Sequence, residues 1–326
     1  MRSSRAGPII CLLLIGLVRF DANAQITSDL ATDPAKATIV YDDVRNLAHA
    51  LDLLKGGGDT VATLQAEYFA RATPGLRELI KDYDLTAESL TQAIQQRPRE
   101  FGSLVDVPEW LAAQESTFRN AFAQLQQLIP NAVFPPTYFV VGAWVGASEA
   151  TEQGQVISVE RHGQMISAGR PDAADHLAHT IVHELVHVQQ ALTQGLETYQ
   201  SLYGDGPNRS LLALAIREGS ADFLADLASG GHTHERAQAY CVQHEPELWE
   251  RFRAEMAQRE PGSWMWAEPR YPEEPRDLGY AMGFRIVKAY YEQAPDKKGA
   301  VRDILSVTDY PVFLELSGYA KRFAER

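Results

Sequence analysis

Cysteine is nearly missing from this chain: of 326 residues only Cys11 and Cys241 carry a thiol. Cys11 lies in an apolar run near the N-terminus, without the small-residue context of a lipid-attachment site. If that run is removed, Cys241 stands alone and no internal disulfide can form. Stability must then come from packing, with or without a metal. Long apolar runs are missing too. The longest, Pro8 to Val18, is about 11 residues, against the roughly 20 that a helix needs to cross a bilayer. Positive charge is scarce: 30 Lys and Arg stand against 43 Asp and Glu, a net charge of −13. No basic cluster interrupts that balance, and so negative a surface repels phosphate backbones, which argues against a nucleic-acid partner. There is no internal repeat and no compositional sign of disorder, collagen or coiled coil.

What is present begins with a targeting pattern. In "MRSSRAGPIICLLLIGLVRFDANAQ", Arg2 and Arg5 precede the apolar run, and Ala22-Asn23-Ala24 forms a small-residue cleavage site before Gln25. This is the layout of a secretory signal peptide over residues 1–24. The mature chain is then expected outside the cytoplasm, periplasmic or secreted, with no transmembrane span. Without Arg2, Arg5, Arg19 and Asp21 it would hold 27 basic and 42 acidic residues and a net charge of −15.

Residues 25–40 form a polar lead-in, and 41–132 a helical N-terminal region. "DDVRNLAHALDLL" and "DTVATLQAEYFARA" repeat apolar residues at i, i+3, i+4. "KGGGDT" lacks the Gly-Lys-Ser/Thr ending of a phosphate loop, so it predicts a glycine stop and an Asp59 cap. Thr86 opens "TAESLTQAIQQ" as an N-cap, with Ser89 in the capping-box position, and one helix is predicted from Pro108 to Pro130. From Val133 the character changes. "VFPPTYFVVGAWVGAS" and "GQVISVER" predict two strands separated by polar "SEATEQG", and His162 in "ERHGQ" is expected in a turn. Helices follow: one around "HTIVHELVHVQQ", one over "LLALAIREGSADFLADLA", one over about 234–258, and more from Leu278. The expected class is α+β, mostly helical, with a small sheet preceding the His-rich helix.

That helix raises a chemical question. His183, Glu184 and His187 lie among Ile181, Val182, Leu185, Val186 and Val188, and burying such groups without partners costs several kcal/mol. Positions i and i+4 share a helix face, so His183 and His187 can turn their ring nitrogens to one point and supply half of a tetrahedral zinc site. Glu184, about 100° further round the helix, sits beside that point. A catalytic zinc needs a third protein ligand. Glu218 and Asp222, four apart on another apolar helix, fit if Glu218 is that ligand and Asp222 orients a ligand histidine. The plain alternative is two carboxylates on a solvated face. His176 and His179 extend the stripe upstream, where helical drift suits them to supporting or core roles rather than ligation.

His183-Glu184-x-x-His187 followed by Glu218-x-x-x-Asp222 resembles the gluzincin branch of the zincin metallopeptidases. With "HELVHVQQ", "EGSADF" and "GYAMGFRIVKAYY", residues 133 to about 310 resemble a bacterial family of predicted zinc-dependent proteases. The resemblance implies a zincin-like catalytic region over 133–326, one zinc ion, and a peptide or protein substrate. It also implies Glu184 as general base toward a zinc-activated water, and a Tyr or His donor for the oxyanion. Tyr280, Tyr271, His232 and His234 are candidates for that donor. Tyr280 is preferred because it begins a helix beside Gly279 and Gly283. The 30 residues between His187 and Glu218 exceed the shortest gluzincin spacing, so that connection must fold by itself. Trp264, Trp266 and Tyr271 mark a long proline-studded loop that either walls a pocket or pins itself to the core. "TYFVVGAWVGAS" is expected to offer a sheet edge to an extended substrate. A second reading, from another class, is a zinc-stabilised, non-catalytic periplasmic binding protein, against which the presence of Glu184 argues.

Overall fold

The computed structural model describes residues 30–146, 148–151 and 153–323. The targeting pattern lies outside them. The described chain is mostly helical with one four-stranded sheet, an α+β arrangement. No helix among the described residues is long and apolar enough to cross a membrane.

After a short strand β1 (Ile39–Val40), seven helices follow: α1 (Asp42–Lys55), α2 (Thr60–Glu67), α3 (Pro74–Asp82), α4 (Ala87–Gln96), α5 (Pro98–Gly102), α6 (Val107–Ala113) and α7 (Glu115–Leu128). Their ends follow local chemistry. Gly57 and Gly58 take positive φ after α1, and the Asp59 carboxylate accepts from the Ala62 amide at 3.1 Å to start α2. Thr86 and Ser89 each accept from the other's backbone amide, a complete capping box. The single helix predicted over 108–130 is instead two. At Gln114 the amide bonds both Trp110 and Leu111 carbonyls, tightening the turn and ending α6. The break lets α7 bury Phe118, Ala121, Phe122 and Leu125 on a direction of its own.

Three further strands complete the sheet: β2 (Thr137–Val140), β3 (Ser148–Thr151) and β4 (Gly154–Ser158), in the order β1-β2-β4-β3. β1 and β4 run parallel to β2, and β3 runs antiparallel to β4 with Ser148 opposite Ile157. Two expectations fail here. The polar segment "SEATEQG" is not a mere connection, because it supplies β3. In the "TYFVVGAWVGAS" segment Thr137–Val140 form β2, an interior strand between β1 and β4 rather than an edge, and its last residue, Ser148, opens β3, which forms one edge of the sheet.

The remaining helices are α8 (Glu160–Ser167), α9 (Ala173–Gln194), α10 (Leu196–Gln200), α11 (Leu211–Ser229), α12 (Glu235–Gln243), α13 (Glu245–Glu255), α14 (Leu278–Gln293), α15 (Lys297–Leu305) and α16 (Tyr310–Leu316). His162 is buried inside α8 rather than held in a turn, with its Nε2 3.4 Å from the Thr180 hydroxyl. The helix predicted over 234–258 is α12 plus α13. Pro246 has no amide to give to Val242, so the chain turns at His244. α9 packs on β3 and β4, and α7 packs on both α9 and α11, so one hydrophobic core runs through the described chain. α11 is buried on every side from Leu211 to Ala225. It meets α14 backbone to backbone, because a Cβ on Gly283 would fall 1.7 Å from the Ala215 carbonyl oxygen. That close approach holds α14 on α11, and Tyr280 near the start of α14 comes within 6.2 Å, ring to ring, of His183 on α9.

Candidate metal centre

α9 supplies the two histidines of the motif and α11 the two carboxylates. His183 Nε2 lies 3.0 Å from His187 Nε2, and Glu218 Oε2 lies 3.3 and 3.2 Å from them. All three residues are buried. Ligands of a tetrahedral ion at about 2.0–2.1 Å lie about 3.3 Å from one another, close to these separations. Among the described residues this is the one group of three or more His, Cys, Asp and Glu whose donor atoms converge closely enough to hold a metal ion.

The protons on the two rings are dictated by what the other nitrogens touch. His183 Nδ1 is 2.7 Å from Asp222 Oδ1, and a carboxylate can only accept. His187 Nδ1 is 2.9 Å from Gln190 Oε1, while the Gln190 amide nitrogen donates to the Arg217 carbonyl at 3.2 Å. Both Nδ1 atoms therefore donate, and in the neutral rings both Nε2 atoms turn lone pairs toward each other and toward Glu218. Three acceptors within about 3.3 Å repel unless a cation sits among them. A proton is the minimal such cation: burial pushes His183 down, but its hydrogen bonds to Asp222 and Glu218 outweigh this and hold it well above its ordinary value. A divalent metal satisfies all three atoms together, and the donor set of two imidazoles and one carboxylate suits zinc.

Around this cluster the charges are arranged by the same contacts. Burial raises Glu218 and Asp222, but the facing imidazoles win and hold both carboxyls well below their usual range. Glu184 differs. It is buried with no hydrogen bond to any described residue, and burial raises it above its ordinary value against the pull of His183 and His187. It stands as an unpaired carboxylate next to the convergent ligands.

Of the four donor candidates, the structure brings two to the site. Tyr280, in the first turn of α14, stacks on His234 at 4.3 Å and lies 6.2 Å from the His183 ring. His234 donates from Nδ1 to Asp222 Oδ2 at 2.8 Å, so Asp222 is shared by two imidazoles. Tyr271 is exposed beside Arg251, and His232 pairs with Asp226 at 2.9 Å. His179 is buried with Nε2 3.3 Å from the Asp222 carbonyl oxygen, a packing role, and His176 pairs edge-on with His162. Gln190, which fixes the His187 ring, was not anticipated, and Trp266, expected as a pocket wall or a pin, reaches the site by donating its indole N–H to the Tyr280 hydroxyl at 2.8 Å. Gln190 had a signal, its i+3 position after His187 in "HVQQ". Nothing in sequence spacing pairs Trp266 with Tyr280.

The chain matches no known protein family, no curated protein and no solved structure. The gluzincin resemblance therefore rests on the residues of this site alone.

Proposed function

We propose that the chain is an exported, zinc-dependent metallopeptidase of zincin-like fold and gluzincin type, hydrolysing peptide bonds. One observation carries the reading: three donor atoms turned on one another, with both imidazoles pinned from behind, beside Glu184, a carboxyl with no hydrogen bond to any described residue. His183, His187 and Glu218 would hold one zinc ion, which when bound polarises a carbonyl and brings water near neutral acidity. The chain's own groups do the rest. Glu184 takes a proton from the attacking water and returns it to the departing amine nitrogen. Asp222 and Gln190 hold the two rings in the tautomer that leaves Nε2 free. The Tyr280 hydroxyl donates to the oxygen of the carbonyl under attack. Export rests on the pattern over residues 1–24.

The test is cleavage of a degenerate peptide library by residues 25–326, beside Glu184→Ala, both zinc-loaded. Cuts present in the first and reduced about 10²- to 10⁴-fold in the second are expected. Equal cleavage by both, or none by either with zinc bound, would sink the reading. The enclosure of the cluster favours one second reading, a zinc-stabilised binding protein. There, chelation would unfold the chain, whereas a catalytic ion can be stripped with loss of turnover alone.

A further inference from the structure

We infer that Trp266 is a positioning residue that fixes which way the Tyr280 hydroxyl points its proton; this rests on the peptidase reading above. An indole nitrogen can only donate. At 2.8 Å from the Tyr280 oxygen, the Trp266 N–H therefore occupies one acceptor position of that oxygen. A phenolic O–H lies near the ring plane and has two orientations there. The indole turns its own hydrogen on that oxygen, so the phenol's hydrogen points away from the indole. No described residue accepts that hydrogen. Tyr280 is thus left as a committed donor, its ring stacked on His234 at 4.3 Å and lying 6.2 Å from the His183 ring.

Trp266 has no freedom to withdraw from this contact on its own. Its backbone amide donates to the Asp277 carboxylate at 2.8 Å, and both residues hold positive φ, 59° and 63°. That backbone region disfavours side chains larger than glycine's, so the surrounding structure must impose it. Two residues earlier Trp264 is buried edge-on against Phe252, with its indole donating to Glu255 at 2.8 Å. Between them Met265 fills the space that a Cβ on Gly279 would take, 2.5 Å from Met265 Cγ. The segment is anchored by Trp264, seated on the first turn of α14 by Met265, and touches the site through Trp266. The two alternatives left open by the sequence therefore apply to different tryptophans: one pins the loop, the other reaches the site.

The experiment uses the zinc-loaded chain and three variants, Trp266→Phe, Tyr280→Phe and the double change. Trp266→Phe should lower kcat roughly 3- to 10-fold, the worth of one hydrogen bond, with KM and zinc content unchanged. In the Tyr280→Phe background the same change should do nothing further. A packing role would instead move KM or zinc content, or cost the same in both backgrounds, and any of these overturns the inference. A second readout needs no turnover. The Trp266 indole N–H, followed by nitrogen-15 NMR, should be protected from solvent exchange in the unchanged chain and lose that protection in Tyr280→Phe. Protection indifferent to Tyr280 overturns the inference whether or not peptides are cut. Normal protection in a chain that cuts nothing would overturn the peptidase reading, and with it any role for the positioned proton, while leaving the hydrogen bond standing.

Discussion

Two parts of this protein bury carboxylates, and they do so on opposite terms. In α1 and at the start of α8, Asp43 and Glu160 take their hydrogen bonds from backbone amides and hydroxyls. Asp43 accepts from the Thr73 amide and hydroxyl, and Glu160 accepts from the Gly142 amide and the Ser158 hydroxyl. Burial pushes Asp43 up to about 6 and Glu160 up to about 7. Where α9 crosses α11, burial acts in the same direction on Glu218 and Asp222, yet both end below their usual range because imidazoles face them. Burial alone therefore does not mark a functional acid. The first pair staples loops to helices and can hold a proton at mild acidity. The second stays ionised beside ring nitrogens that converge closely enough to hold a cation.

The largest effect that sharpens this contrast is loss of the ion. Glu218→Ala should abolish stoichiometric zinc binding, measured by equilibrium dialysis, while Asp43→Asn should leave it intact. For the unchanged chain, a thousandfold excess of free zinc over its Kd should add about 4 kcal/mol to stability. Zinc that left the melting temperature of the unchanged chain unmoved would erase the distinction between the two carboxylate sets. Next in size is Asp222→Asn. The amide can present its NH₂ to His183 Nδ1 and so disturb the tautomer, which should weaken zinc about 10- to 100-fold. An unchanged Kd would mean that Asp222 serves packing rather than the ring.

How much of this was legible depended on whether the determining contacts were local. The Asp59 and Thr86 caps, the shared face of His183 and His187, and the spacing of Glu218 and Asp222 all lie within one helical turn, and each stands where its local pattern places it. The break at Gln114 has no proline or glycine to announce it. The strand β3 is made of Ser148, Glu149, Ala150 and Thr151, and only its partner β4 makes it a strand. Whether β2 lies at an edge depended on Ile39 and Val40, nearly a hundred residues earlier. At the site, Gln190 was in reach of a local argument, but the Trp266 contact needed the whole loop in place.

Glu160 offers a smaller effect with a definite sign. Its folded-state pKa of about 7 lies above the ordinary carboxylate value, so between about 4.5 and 7 the folded protein holds a proton that the unfolded chain has lost. Stability should therefore fall as pH rises through that window, by up to about 1.4 kcal/mol for each unit of displacement. Glu160→Gln, which keeps an acceptor for the Gly142 amide, should flatten this slope in denaturant titrations at several pH values. His162 acts in the reverse sense. Burial lowers it to about 3, so its contribution is present above the ordinary histidine pKa and is lost as pH falls from there toward 3. A Glu160→Gln slope equal to that of the unchanged chain would show that the buried carboxyl is already ionised at mild acidity, like Glu218 and Asp222.

The smallest effect tests whether the two parts are energetically separate. Thr86 caps α4 through the Ser89 amide at 3.1 Å, in a helix with no residue at the site. Thr86→Ala removes that acceptor and should cost about 1 kcal/mol. Changes at distant sites without shared partners add to within a few tenths of a kcal/mol, so the loss should be the same with and without zinc. A cost that grew or vanished on loading zinc would show that the continuous core transmits the state of the candidate metal centre into the N-terminal helices. The carboxylates of the two regions would then belong to one coupled system rather than to two.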